Sequence, residues 1–315
     1  MLFMENLQAP SLYQILKNAV IGHDETILQL ERIISKDRLP HSLIFSGMES
    51  IGKRICAEGL AKYLFAKSPN SKYDIISSQI DKGSFPDIKV LRQGNTNTEA
   101  IRDMIHFLQS SKLCYNHRVA IIDNVDKMSN NAANACLKIL EEPKDNSTVI
   151  MITHNIGSLL PTIKSRSTII NFKPLDLKCF SRIMCNKFKE LQEGDISRLY
   201  GFSRGSIAIA CELLSKHGLE IEKSIDVLLN IGFASSNEAM DTISQYATDD
   251  GQWQCLKELL LYKLRAHILS IQNASDMRKG VKIFQEACKL LHKSDSLNLN
   301  RRYVLHSILS MALSS

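Results

Sequence analysis

His41-Ser42-Leu43-Ile44-Phe45-Ser46-Gly47-Met48-Glu49-Ser50-Ile51-Gly52-Lys53 is the stretch on which the reading of this chain turns. Its apolar first half reads as a strand, and Lys53 to about Lys67 carries the spacing of a helix. Between them, Gly47 to Lys53 satisfies GxxxxGK. Glycines there let backbone N–H groups turn toward phosphate oxygens, the helix N-terminus favours negative charge, and the lysine reaches the β- and γ-phosphates. A tight strand-to-helix turn with an incidental lysine is the plainer alternative. The flanking strand and helix favour a phosphate loop, with Gly47, Gly52 and Lys53 as nucleotide-binding residues.

The residue after the lysine departs from the motif. A Ser or Thr hydroxyl normally ligates magnesium there, and this chain has Arg54. Arginine offers the metal no oxygen and carries a charge that repels it. A second strand, Arg118-Val119-Ala120-Ile121-Ile122, ends on Asp123, which has the place of the metal-binding aspartate. The next position in ATP-hydrolysing proteins of this kind is a glutamate that polarises the attacking water. Here it is Asn124, whose amide does not accept a proton as a carboxylate does. Asp126 is expected to cap the following helix rather than to serve as a base. The site is read as degenerate: no intrinsic hydrolysis, no required cofactor, and at most weak binding of ATP or ADP.

Outward from this stretch, short apolar runs alternate with helical patterns, which signals a parallel α/β sheet. Further strands are expected at Ile88 to Leu91, Thr148 to Thr153 and Ser167 to Phe172. Ser68 to Pro86, polar and carrying Pro69, Gly83 and Pro86, reads as an excursion. Glu99 to Leu108 and Ala132 to Leu140 have helical spacing, the second closed by Pro143. After Pro174 the pattern becomes helical to the end. In the segment beginning near Asp250, a stripe of Trp253, Leu256, Leu260, Leu264, Ile268 and Ile271 reads as a packing face. Boundaries near Lys173 and Lys216 divide the chain into an α/β domain over 1–173, a small helical domain over 174–216 and an all-α domain over 217–315.

Composition narrows the class. The chain has 315 residues, 44% of them hydrophobic and 23% charged, as in a core-forming protein. No apolar run approaches the ~18 residues needed to span a bilayer, and Met1 to Pro10 lacks the features of a signal peptide. A cytoplasmic protein without membrane contact is expected. The eight cysteines, Cys56, Cys114, Cys136, Cys179, Cys185, Cys211, Cys255 and Cys288, form no CxxC pair and read as buried free thiols, with no zinc site. A net charge of +6 permits contact with nucleic acid. Lys and Arg are spread rather than clustered and aromatics are 6%, so a stand-alone stacking platform for single strands is disfavoured.

Four segments carry a resemblance. These are His41 to Gly47, the run Asn131-Ala132-Ala133-Asn134-Ala135-Cys136-Leu137-Lys138-Ile139-Leu140-Glu141-Glu142-Pro143, the segment Leu160-Pro161-Thr162-Ile163-Lys164-Ser165-Arg166-Ser167, and Phe202-Ser203-Arg204-Gly205-Ser206. Asn298-Leu299-Asn300-Arg301-Arg302 adds a fifth near the end. Together they resemble the bacterial DNA polymerase III clamp-loader family, delta-prime subunits best, specifically from about Ile21 to Leu214.

The resemblance implies an AAA+ module, a helical lid and a helical collar that joins subunits into a ring. Implied partners are the tau/gamma-type ATPase subunit, the delta subunit, the sliding clamp and, through the assembled complex, primer-template DNA. It also implies that Arg166 projects as an arginine finger into a neighbouring subunit's ATP site. A surface salt bridge is the bland alternative for that residue.

Three departures stand out. Ser167 replaces the family's cysteine, the zinc-binding cysteines between phosphate loop and next strand are absent, and the lid position that carries a sensing arginine in hydrolysing relatives is Ala208. Arg204 is on the wrong side of that helix start to substitute. Thr153-His154-Asn155 occupies a sensor region, with no indication of which side chain faces a nucleotide. The expected role is a largely non-hydrolysing subunit that supplies structure and Arg166 to a neighbouring ATPase. The alternative is the family's hydrolysing tau/gamma-like motor.

Overall fold

Five strands whose residues are apolar on both sides must be covered on both sides, and that requirement builds the first half of the molecule. The computed structural model describes residues 10–35, 39–68, 71–92, 96–110, 117–231, 243–297 and 299–313, with Gly94, Tyr115 and Asp241 between them. Strands β1 (Ser42–Ser46), β2 (Ile88–Leu91), β3 (Arg118–Asp123), β4 (Ser147–Thr153) and β5 (Thr168–Asn171) form one sheet in the order β2-β3-β4-β1-β5. Every pairing is parallel. The inner strands β1 and β4 are buried along their whole length, whereas the edge strands β2 and β5 are partly exposed.

The pleat sends alternate residues to opposite faces. Ile44, Ala120, Ile122, Val149 and Met151 share a core with Ile101, Met104 and Leu108 and with Cys136 and Ile139. The first three of these partners lie on helix α5 (Thr98–Gln109) and the last two on α6 (Asn130–Glu141). The other face, with Phe45 at its centre, is covered by α3 (Lys53–Ala66), against which α1 (Leu12–Ala19) packs, while α2 (Asp24–Ser35) meets β5. Caps define the helix starts. Ser11 and Gln14 form a reciprocal capping box for α1, and Ser129 Oγ accepts from Ala132 N at 3.2 Å, so α6 begins two residues before its apolar pattern does.

The expected strands are all present, with ends shifted by a residue or so. The excursion at Ser68 to Pro86 is corrected: it contains helix α4 (Tyr73–Asp81). Ile76 and Ile80, one turn apart, are buried and give that helix its inward face. Proline and glycine at its borders masked so short a period.

The chain divides into two compact units, residues 1–183 and 184–315, with α8 (Leu177–Lys187) at the division. Among the described residues no strand follows Asn171. The second unit contains α9 (Glu193–Ser203), α10 (Ile207–Ser215), α11 (Gly218–Ile231), α12 (Asp250–Ser270), α13 (Ala274–Ser296) and α14 (Arg301–Leu313). The stripe on α12 is a packing face: Trp253, Leu256, Leu260, Leu264 and Ile268 are buried, and Ile271 lies just past the helix end, half-buried. Buried Glu222 on α11 accepts from Arg198 Nη1 at 2.7 Å and Lys263 Nζ at 2.5 Å, so its charge is paired on both sides. Of the segment Asn298 to Arg302, Arg301 opens α14 and Asn298 lies outside the described residues.

Burial of the cysteines is corrected in part. Cys56, Cys136 and Cys255 are buried, which pushes the first two thiols up to about 12 and the third to about 11. Cys185 is exposed and Cys179, Cys211 and Cys288 are half-buried, while Cys114 lies outside the described residues. No described helix is long and apolar enough to cross a membrane.

Phe45 and Ile75 test this packing. Phe45→Ala, which empties a fully buried site in β1, is expected to lower unfolding free energy by about 3–5 kcal/mol in urea titrations. Ile75→Ala, at a 51% exposed position on α4, is expected to stay within about 0.5 kcal/mol.

Candidate functional site

Gly47 and Gly52 shape the loop that follows β1. A Cβ at Gly47 would fall 2.4 Å from the Phe172 carbonyl oxygen, so only glycine lets the chain leave the sheet at that point. Gly52 has φ 106 and precedes α3 with no side chain capping its first turn. The N–H groups of that turn are therefore not taken by a capping oxygen, as anion binding at a helix start requires. The loop borders a cavity of about 370 Å³ lined by Glu49, Ser50, Gly52, Lys53, Arg54, Ile55, Asp123, Ile152 and His154.

Lys53 turns inward on its own loop. It is 3% exposed, its Nζ donates to Gly47 O at 2.6 Å and also to Met48 O, and burial pushes its pKa down to about 8. Asp123, Asp126 and Glu49 oppose that fall. Arg54 Nε donates to Glu58 Oε1 at 2.9 Å, and its Nη1 lies 3.8 Å from Asp123 Oδ2. The guanidinium thus faces the aspartate from the position where a hydroxyl would have shared a metal with it. These residues do not fit magnesium: one ligand is missing and a fixed positive charge stands beside the other.

Asn124 is buried and committed. Its Oδ1 accepts from Asp126 N at 2.9 Å, and its Nδ2 lies 3.3 Å from His154 Nδ1. The expectation that Asp126 caps the next helix is corrected. Ser129 caps α6, while the Asp126 carboxylate accepts from Thr153 Oγ1, from His154 N at 2.6 Å, from Asn155 N at 3.3 Å and from Ser158 Oγ at 3.2 Å. It ties the end of β3 to the turn after β4, and with its oxygens so occupied it is no base. Of the sensor region, His154 is the residue that borders the cavity. Burial lowers its pKa and Lys53 adds to the effect, against Glu49, Asp126 and Asp123.

Gly52, Lys53 and Asp123 therefore meet at one cavity that Gly47 helps to form, and Arg166 is not among its lining residues. Arg166 follows the short helix α7 (Pro161–Ser165); its Nη1 donates to Thr162 O at 3.1 Å and Ser165 Oγ at 3.3 Å, and Nη2 is 3.0 Å from Glu141 Oε1. The pair is 37% and 51% exposed, the class of ion pair worth about 0.2–1 kcal/mol. In the second unit Ala208 is exposed in the first turn of α10, and Arg204 ends α9.

Sequence reasoning did not identify Glu49, Ser50, Ile55 or Ile152 as cavity residues. For Ile152 the signal lies in the sheet register, which sets it beside Asp123. Glu58, one turn after Arg54, was visible as a helical ion-pair spacing. His23 is a further residue of the site's support: buried against Phe172, it donates from Nε2 to Ile51 O at 2.6 Å and so holds the loop from behind.

A parallel sheet with a phosphate loop at the end of inner strand β1, followed by a helical unit, is an AAA+-type fold. Residues 22–176 match the family described as DNA polymerase III, delta subunit. It is 30% identical to the delta' subunit of DNA polymerase III from Bacillus subtilis over 189 residues, 57% of this chain and 55% of that one. It is 26% identical to the gamma subunit of Buchnera aphidicola over 211 residues, 64% of this chain and 58% of that one. The chain thus spans somewhat over half the length of these relatives. A gamma-subunit-related protein of Thermotoga maritima shares the fold, with a TM-score of 0.50 and 18% identity over 91% of this chain and 98% of that one.

His23 gives the site a pH signature. Burial holds its pKa below the ordinary 6.5, against the bond to Ile51 and the charge of Asp24, while Lys53 adds to the lowering. The unfolded histidine therefore takes up a proton that the folded one refuses. Stability is complete above about pH 6.5 and declines as pH falls below it, until the folded pKa is reached. Urea midpoints measured from about pH 7.5 to 5.5 are expected to fall, and His23→Gln is expected to flatten that decline.

Proposed function

We propose that this chain is a delta-prime-type subunit of a DNA polymerase III clamp loader that hydrolyses little or no ATP itself. In this reading it supplies structure and the Arg166 guanidinium to a neighbouring ATPase subunit, as the loader places the sliding clamp on primed DNA. The observation that carries it is the pairing at the metal position: Arg54 faces Asp123, where a hydrolysing site needs a magnesium ligand. Asn124, bound to Asp126 and His154, puts an amide where a hydrolysing site has a carboxylate to activate water.

Arg166 has the chemistry for the role in trans. It sits half-exposed beside a short helix, and the pair with Glu141 is weak enough to exchange for a γ-phosphate. An arginine finger contributes ~10³–10⁵ in rate where one has been measured. The chain is assigned to the cytoplasm, with residues 174–216 as lid and 217–315 as the collar that meets tau/gamma-type and delta subunits. Its response to neighbouring ATP sites is allosteric rather than catalytic. A second reading, a hydrolysing tau/gamma-like motor, is favoured by the match to the gamma subunit.

ATP turnover separates the two. The chain alone is expected to be inactive, to stimulate the tau/gamma-type subunit of the same organism on mixing, and to lose that stimulation as Arg166→Ala. Turnover by the chain alone that ignores Arg166 would overturn the finger reading in favour of the motor.

A further inference from the structure

The cavity beside Lys53 keeps the architecture of an anion site while losing the means to hold the anion's metal. Gly47 and Gly52 still shape the loop, the first turn of α3 still lacks a capping side chain, and about 370 Å³ of space remains in front of it. The charged groups lining that space are Lys53 and Arg54, with Glu49 and Asp123, and His154 borders it too. An ordinary phosphate loop relies on magnesium to neutralise what its single lysine does not. Here a second fixed cation stands next to the lysine.

Arg54 is placed to do the metal's electrostatic work. Its Nε is held by Glu58 at 2.9 Å, which anchors the guanidinium at the mouth of the cavity. Its Nη1 is 3.8 Å from Asp123 Oδ2, beyond a hydrogen bond, so its outer N–H groups can turn to phosphate oxygens. A guanidinium presents donors in a planar fork suited to such oxygens. We propose that this loop binds the phosphate chain of a nucleotide free of magnesium, with Arg54 in the place of the metal. Lys53 exchanges the Gly47 and Met48 carbonyls for phosphate oxygens as the ligand enters. Magnesium then weakens binding, because Arg54 repels the metal that comes with the nucleotide. The inference concerns this cavity alone and stands or falls independently of the role proposed for Arg166.

The test is calorimetric titration of the full chain with ATP, ADP and inorganic tripolyphosphate, each in EDTA and in excess magnesium at equal ionic strength. Binding in EDTA is expected to be tighter than in magnesium by about tenfold. Arg54→Thr is expected to reverse that order, and Lys53→Ala to abolish binding in both conditions. Thermal unfolding of each variant checks that it folds, and Arg54→Gln serves if Arg54→Thr does not. Equal binding of tripolyphosphate and ATP identifies the phosphate chain as the ligand, and preference for ATP adds the nucleoside to it. Absence of binding in EDTA, or binding strengthened by magnesium in the unaltered chain, would overturn the proposal.

Discussion

Strand β1 is held along both edges, by β4 on one side and β5 on the other, and the candidate site depends on that grip. The hydrogen bonds continue to its last residues: Phe172 N donates to Ser46 O at 2.7 Å and Gly47 N to Thr153 O at 3.3 Å. A strand so fixed delivers the following loop to one place at the carboxyl edge of the sheet, where open α/β sheets bind ligands. The loop is then backed by His23 and closed by its own lysine. Nothing in the loop has to find its position by itself.

The same edge explains how the loop keeps its form whatever side chains stand at positions 54 and 124. Backbone geometry at Gly47 and Gly52 depends on steric room, and side chains at residues 54 and 124 have little to do with it. Arg54 takes two carboxylates as neighbours, and Asn124 takes the Asp126 amide and the His154 ring. Each substitution is satisfied by a partner already present, so no buried polar group among them is stranded.

The strands and most helices were legible in the sequence because the signal for them is local. A continuous apolar run such as Arg118 to Ile122 has few alternatives to a buried strand, and the stripe from Trp253 to Ile268 has few alternatives to a packed helix face. Helix α4 was hidden because two buried isoleucines are too short a pattern to stand out between proline and glycine. Residues 47, 52, 53, 54, 123 and 124 could likewise be read as a phosphate-loop pattern with departures at 54 and 124, since the motif specifies residue types at fixed spacings.

Partnership was not legible. Asp126 tying β3 to the turn after β4, His154 bordering the cavity and Arg166 resting on Glu141 all join segments that are far apart in the chain. Those pairings follow from the register of β3 against β4 and from the direction in which each connecting turn leaves the sheet. Sequence alone determined most of the elements and which residue types stand at positions 53, 54, 123 and 124, because backbone preference and residue chemistry are local properties. Tertiary structure alone decided which charges face one another, because Coulomb and hydrogen-bond energies depend on distance through space and not along the chain.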